Sequence, residues 1–536
     1  VIKTKSNNSN IILYLYIIAF ALSTIPAFFL SAPQVEDALG TMGAAAYLTG
    51  HDWGDILVEK GFFYKYGQTI YFLPIFLLIK NPAIRYKFLL MANSIVTAFI
   101  PVIIYKLSTK HLKMANEDAV FISLITGCMP GTLLYAKLTW AEPVLFLIPW
   151  LIILTVMELE GIVAALQNVS SSESDEPKGR LLNKQRLLSA LLAWVSVYAF
   201  MCHQRGIVIV LGTVLFLIIF RISRRVQLIH PVMFIINLAL ALILDRVFNA
   251  WLKLYVYRGE LLKYNLLSSF FDLEIYRKMF SAKGLPVLLK SIMGWLFNSA
   301  ASGIGITLLG LVVCAMCGFG LKKKGFFSPK LQNICLLGSI FYFGSFLLGL
   351  LFFFETAYGY WYGTAVERSD HLVFGRYLES TLPIMLFIGF YALARISQDT
   401  ETIDSADRKN KLLTPLSASI FAALTIFFAL VIAPVMSGVD SYVHSIMSMN
   451  ICFDMTGVKL TRDVISNLPS ALIIFGIISW LLYLFIILVF NKNRRRLAYL
   501  TICGLYLYIY FRSIADILYR VDSYSLTDYA QYYLTH

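Results

Sequence analysis

The chain has 536 residues, of which 59% are hydrophobic, 15% aromatic and only 14% charged. Soluble domains carry about 25% charged residues, so this composition excludes a soluble globular protein. The net charge of +14 falls in short basic bursts between apolar runs, which argues against a nucleic-acid binder and for membrane topology.

The first apolar run, 11–30, is long enough to cross about 30 Å of hydrocarbon. No small-residue cleavage site follows it, so it reads as a retained helix. Further spans are expected at 86–106, 119–136, 142–160, 187–203, 206–222, 231–248, 299–320, 332–354, 376–396, 413–435, 469–490 and 497–512, about 13 in all. The runs at 119–136 and 187–203 are short for a full crossing. Basic clusters such as Lys106/Lys110/Lys113, Arg221/Arg224/Arg225, Lys322 to Lys324 and Arg494 to Arg496 occur at alternate loops. Placing them in the cytoplasm puts the N-terminus inside and the C-terminus outside. The expected fold is an all-α polytopic membrane protein, with interfacial helices in the first and fourth outer loops.

The first outer loop, 31–85, contains the apolar stretch Tyr71 to Ile79, short for a span and interrupted by Pro74. Counting it as a span would put Lys106 to Lys113 outside, so an interfacial or re-entrant helix fits better. Loop 246–298 alternates aromatic, basic and apolar residues, as an amphipathic helix lying on a membrane does. The remaining large outer loops are 355–375 and 436–468. Of the seven cysteines, Cys314 and Cys317 have C-x-x-C spacing inside an apolar run, which reads as core packing.

Candidate chemistry gathers in the outer loops. Glu36 and Asp37 are adjacent carboxylates beyond the first span; such a pair can split the work of a general base. A helix N-terminal cap explains them equally well. In Gly61-Phe-Phe-Tyr-Lys-Tyr-Gly-Gln, Lys65 can meet a phosphate while Tyr66 and Gln68 line a sugar site; the alternative is an aromatic belt with a snorkelling lysine. Glu142, before Pro143, is both a helix-start signal and a carboxylate at membrane depth. His203-Gln204-Arg205-Gly206 interrupts a long apolar run; a tight turn accounts for it, but Arg205 then needs an inward partner. Arg258 and Lys263 add basic charge to loop 246–298. Arg368, His371 and Arg376, followed by Tyr377, can bind a phosphate through bidentate guanidinium contacts. Arg376 can instead pair with Glu379 on one helical face. No P-loop, dinucleotide fingerprint or zincin motif occurs, so an enzyme of this type needs an already activated donor.

These features in this order resemble the GT-C class of polytopic glycosyltransferases, and within it the bacterial branch related to protein O-mannosyltransferases and the lipid A aminoarabinose transferase. The residues that carry the resemblance are Glu36-Asp37, Gly50 with Trp53, Tyr64-Lys65-Tyr66-Gly67-Gln68, the Tyr71 to Ile79 stretch, Arg85 with Asn93, and Ala141-Glu142-Pro143. It is strongest over residues 11–225; beyond them it rests on topology and Gly375-Arg376-Tyr377. The family usually has Asp first in the acidic pair, where this chain has Glu36.

The resemblance implies a catalytic membrane module in 1–225, with further helices in 226–536. It implies a polyprenyl-phosphate-linked sugar as donor and a lipid, glycan or protein hydroxyl as acceptor, at the outer face of a bacterial plasma membrane. Glu36 or Asp37 would take the proton, and Lys65, Arg205, Arg258, Lys263 or Arg376 would stabilise the departing phosphate. A divalent cation at Glu36/Asp37 is compatible with this, though no histidine cluster demands one. The alternatives are an oligosaccharide ligase or polymerase, and a flippase or transporter of a lipid-linked sugar. Transport predicts a repeat that the sequence does not display.

Overall fold

The structure, a computed structural model, describes residues 2–33, 36–61, 63–168, 175–260, 271–318, 328–364, 368–398, 412–436, 448, 468–490, 494–523 and 528–536. Every regular element among the described residues is helical. Among the described residues ten helices are long and apolar enough to cross a membrane, or up to twelve if each of two bent pairs is one span.

The ten long helices fall on ten of the expected spans, and the other three expected spans are interrupted. The run 299–320 straddles a break. Gly284–Ser302 and Ile306–Gly318 meet at 117°, because Ile304 (φ 51°) and Gly305 (φ 71°) take left-handed backbone that a helix cannot continue through. Ser369–Glu379 and Leu382–Ser397 likewise meet at 69°, where Pro383 opens the second helix. The run 119–136 is two short helices, Asn116–Gly127 and Pro130–Tyr135, with Pro130 at the start of the second. Conversely, the run 187–203 belongs to a longer candidate span, Lys178–Cys202, of 25 residues.

The chain divides into two compact units: Val1–Lys113, Tyr135–Leu266 and Val521–His536 form the first, and Met114–Leu134 with Leu267–Arg520 the second. In the first unit, the Ile2–Thr24 helix lies along Pro82–Lys106, which packs in turn on Glu142–Asn168. Asp175–Cys202 packs on Glu142–Asn168 and on Pro231–Trp251. The last of these leaves Ile235, Ile236, Ile243, Val247 and Phe248 exposed while burying Phe234, Ala241 and Asp245. An apolar outside with a carboxylate turned inward is the pattern of a lipid-facing helix.

Residues 31–85 fold into short helices, Glu36–Gly40, Gly43–Leu48, Gly54–Lys60 and Thr69–Leu78. The last is the short apolar helix expected near Tyr71 to Ile79. Arg85 closes its C-terminal end by donating Nε to the Ile79 carbonyl (2.9 Å) and Nη2 to that of Lys80 (3.0 Å), which satisfies carbonyls the helix leaves open. The Pro231–Trp251 helix runs on through a wide turn at Leu252–Val256 and ends at Arg258 and Gly259, both left-handed; separate helices Leu273–Met279 and Gly284–Ser302 follow.

In the second unit, Ile306–Gly318 packs along Leu382–Gln398, and Leu413–Phe427 against Leu468–Val489. Asp118, at the start of its helix, accepts from Arg495 at 2.8 Å and from the Tyr499 hydroxyl at 3.2 Å. Cys314 is a buried free thiol and Cys317 a half-buried one, as expected of packing residues.

Candidate functional site

The first unit holds a buried polar cluster around an irregular stretch, 136–141, between helices. Backbone carbonyls in such a stretch need donors from elsewhere, and those of Leu138, Thr139 and Trp140 receive them from side chains. Asn93 Nδ2 donates to the Leu138 carbonyl at 2.7 Å. Thr41 Oγ1 donates to that of Thr139 at 2.6 Å. Gln68 Nε2 donates to Thr139 at 3.0 Å and to Trp140 at 2.7 Å. In return, Thr139 Oγ1 donates to the Ala38 carbonyl at 2.8 Å. These bonds fix the helix that carries Asp37 against the start of the Glu142–Asn168 helix.

Asp37 is half-buried, and its Oδ1 accepts from the Tyr64 hydroxyl at 2.7 Å. Gly40 makes the approach possible, since a Cβ there would lie 2.0 Å from the Tyr64 ring. Tyr64 is itself held by Tyr257, whose hydroxyl oxygen accepts from the Tyr64 N–H at 2.8 Å. The side chain of Glu36 lies outside the described residues.

The first unit also holds two buried ion pairs. Glu142, 1% exposed, pairs with Arg205, 6% exposed; the inward partner that Arg205 needed is therefore this carboxylate. His203 caps the turn, its Nδ1 accepting from the Arg205 N–H at 3.0 Å. Lys65 Nζ lies 2.9 and 3.0 Å from the two oxygens of Asp245. Tyr66 donates to the same carboxylate at 3.2 Å and Asn249 at 2.7 Å. Lys65 does not snorkel: its ammonium is buried 3.4 Å over the Phe200 ring. Burial pushes its pKa down to about 8, with Asp245 opposing the fall.

Gly67 seats this turn on the end of the Asp175–Cys202 helix: its N–H donates to the Met201 carbonyl at 2.8 Å, and a Cβ would lie 2.6 Å from the Cys202 nitrogen. Arg258 is 43% exposed and pairs with Asp52 at 3.0 Å and with Asp55. The Asp52 carboxyl is held below its usual range by the Gly54 N–H and by Arg258. Lys263 lies outside the described residues.

The second unit holds the remaining residues singled out in sequence. Arg368 makes a bidentate contact with Asp370, at 3.0 and 2.9 Å. His371 Nδ1 shares a 2.7 Å hydrogen bond with Thr356 Oγ1. Arg376 opens the Arg376–Glu379 helix, and Tyr377 stacks among Phe352 and Phe353. Glu379 Oε1 accepts from the Ser448 N–H at 3.1 Å. Among the described residues no group of three or more His, Cys, Asp or Glu is placed to hold a metal ion.

Sequence reasoning did not assign Tyr64 to Asp37, nor Asp245 to Lys65, and it passed over Lys137. Lys137 is 1% exposed, and its ammonium has no hydrogen-bond partner. A lysine in the run Leu133-Leu-Tyr-Ala-Lys-Leu is a signal in its own right.

Apolar helices of this number define an integral membrane protein, one that buries carboxylates and cations together in its first unit. Comparison with solved structures finds ArnT from Cupriavidus metallidurans bound to undecaprenyl phosphate, at a TM-score of 0.48 and 11% identity, covering 98% of this chain and 84% of that one. The same protein in the apo state matches at a TM-score of 0.47 and 10% identity, covering 98% and 85%. No family model and no curated relative matches the sequence.

Proposed function

We propose that the chain is a membrane glycosyltransferase, moving a sugar from a polyprenyl-phosphate donor to an acceptor hydroxyl at the outer face of the membrane. The observation that carries this reading is the Asp37 carboxylate, oriented by Tyr64 at 2.7 Å and fixed through Thr139 to the stretch leading into the Glu142–Arg205 pair. A half-buried carboxylate oriented by a hydroxyl is suited to act as a general base.

In the proposed step Asp37, or Glu36 beside it in sequence, takes the acceptor's proton as its oxygen bonds to the anomeric carbon. The bond from that carbon to the phosphate oxygen breaks, and its electron pair leaves on the lipid phosphate. Cations near that oxygen stabilise the charge that develops there. Lys65, Arg205 and Arg258 already carry carboxylate partners, so a phosphate meets them as members of pairs.

The test supplies purified protein with labelled polyprenyl-phosphate sugars and a membrane extract, as wild type, Glu36→Gln and Asp37→Asn. Loss of the general base lowers transfer by about 10²–10⁴-fold in at least one variant. Full transfer in both would overturn the catalytic role of the pair. Movement of intact lipid-linked sugar without bond cleavage would identify a transporter instead.

A further inference from the structure

Lys65, Arg85, Lys137 and Arg205 are the buried lysines and arginines among the described residues. Lys65 is bound by Asp245, Arg205 by Glu142, and Arg85 by two helix carbonyls. Lys137 alone has an unsatisfied ammonium. An ammonium taken from water without a partner costs several kcal/mol, so a chain keeps one only where something else satisfies it. The backbone does not let it escape, because Leu138, Thr139 and Trp140 are pinned by Asn93, Thr41 and Gln68. Two residues along, Thr139 is bonded to the carbonyl next to Asp37. The free ammonium thus belongs to the segment that holds the candidate base.

We propose that Lys137 is an anion-binding residue, whose buried ammonium receives the phosphate oxygen of a polyprenyl-phosphate-linked donor. This rests on the glycosyltransferase reading and adds to it the cation that has no carboxylate of its own. A glycosylated lipid phosphate is a diester with one negative charge; once the sugar leaves it is a monoester that carries close to two. An ammonium with no other partner gains most from that increase, which is the differential stabilisation a catalyst needs. Burial alone pushes the Lys137 pKa down to about 7, and a phosphate beside it would favour the charged form again.

The test uses the full chain in detergent micelles and compares wild type with Lys137→Met and Lys137→Arg. Thermal unfolding is followed against undecaprenyl phosphate, undecaprenol and inorganic phosphate. Undecaprenyl phosphate is expected to raise the wild-type midpoint and undecaprenol not to. Lys137→Met is expected to unfold no earlier than wild type without ligand, because an apolar side chain replaces a buried amine that no hydrogen bond satisfies. Its affinity for undecaprenyl phosphate should fall about tenfold or more, the worth of one charge-assisted hydrogen bond, while Lys137→Arg keeps part of it.

Equal binding by wild type and Lys137→Met would overturn the role of Lys137 and leave the glycosyltransferase reading standing. A wild type indifferent to undecaprenyl phosphate would overturn that reading and the proposal with it. Stabilisation by inorganic phosphate alone, lost in Lys137→Met, would overturn the assignment of the anion to a lipid. Recovery of binding when Glu36→Gln is added to Lys137→Met would likewise overturn the proposal, by making Glu36 the counter-charge.

Discussion

At the scale of single residues, the Asp37–Tyr64 contact separates orientation from basicity. Tyr64 donates to one carboxylate oxygen, and in the proposed step it orients the base without transferring the proton. Tyr64→Phe should therefore lower kcat about tenfold, the cost of one hydrogen bond to a charged group, and leave KM for the donor unchanged. A loss as deep as that of Asp37→Asn would mean that the tyrosine itself moves the proton. Lys65 and Asp245 make a second residue-scale case, both sides of the pair being 6% exposed or less. Asp245→Asn leaves a buried ammonium uncompensated and should destabilise the protein by about 3–5 kcal/mol. The double variant Lys65→Met/Asp245→Leu should recover most of that stability in thermal unfolding while losing whatever Lys65 contributes to activity. A pair that only holds the fold would show full activity in the double variant.

At the scale of elements, Gly67 decides whether the Tyr64-Lys65-Tyr66 turn reaches its partners. Its N–H is bonded to Met201 and the Tyr198 hydroxyl donates to its carbonyl at 3.1 Å, so the turn meets the end of the Asp175–Cys202 helix backbone to backbone. Gly67→Ala would place a methyl 2.6 Å from the Cys202 nitrogen. It should destabilise the protein by about 1–3 kcal/mol, with Lys65 drawn away from Asp245; an unchanged unfolding midpoint would show that the turn can move aside.

This turn also marks how far the sequence could be read. Its residues stood out as a group, because aromatics and a lysine between two glycines are conspicuous in an apolar chain. What Lys65 touches was not legible, since Asp245 lies 180 positions away and a single sequence carries no sign of such a pairing. Arg205 was easier: an arginine in the middle of an apolar run demands a partner, and Glu142 was already conspicuous before a proline. Lys137 was missed because it stands one residue past an expected span, where a lysine ordinarily reaches out to the membrane surface. The structure breaks that span at Pro130 and buries the lysine instead.

For the whole molecule, apolar length located the helices well, because the cost of unsatisfied backbone in hydrocarbon leaves long helices as the main option. It located the breaks poorly: the 117° bend depends on Ile304 and Gly305 adopting left-handed backbone, and no hydropathy window sees a dihedral angle. Orientation is a separate matter, and the proposed function depends on it, because a donor presented from the outer leaflet requires the 31–85 segment to face outward. The charge pattern makes a definite prediction. In a background with the seven native cysteines replaced, Asp55→Cys in the first loop and Lys184→Cys in the basic run Lys178/Arg180/Lys184/Arg186 both fall on exposed positions. A membrane-impermeant maleimide applied to intact cells should label Asp55→Cys and spare Lys184→Cys, with both labelled once the membrane is permeabilised. The reverse pattern would turn the Asp37 site toward the cytoplasm. An outer-leaflet donor would then be excluded, even if Asp37→Asn proved inactive, because the base would stand on the wrong side of the bilayer from its substrate.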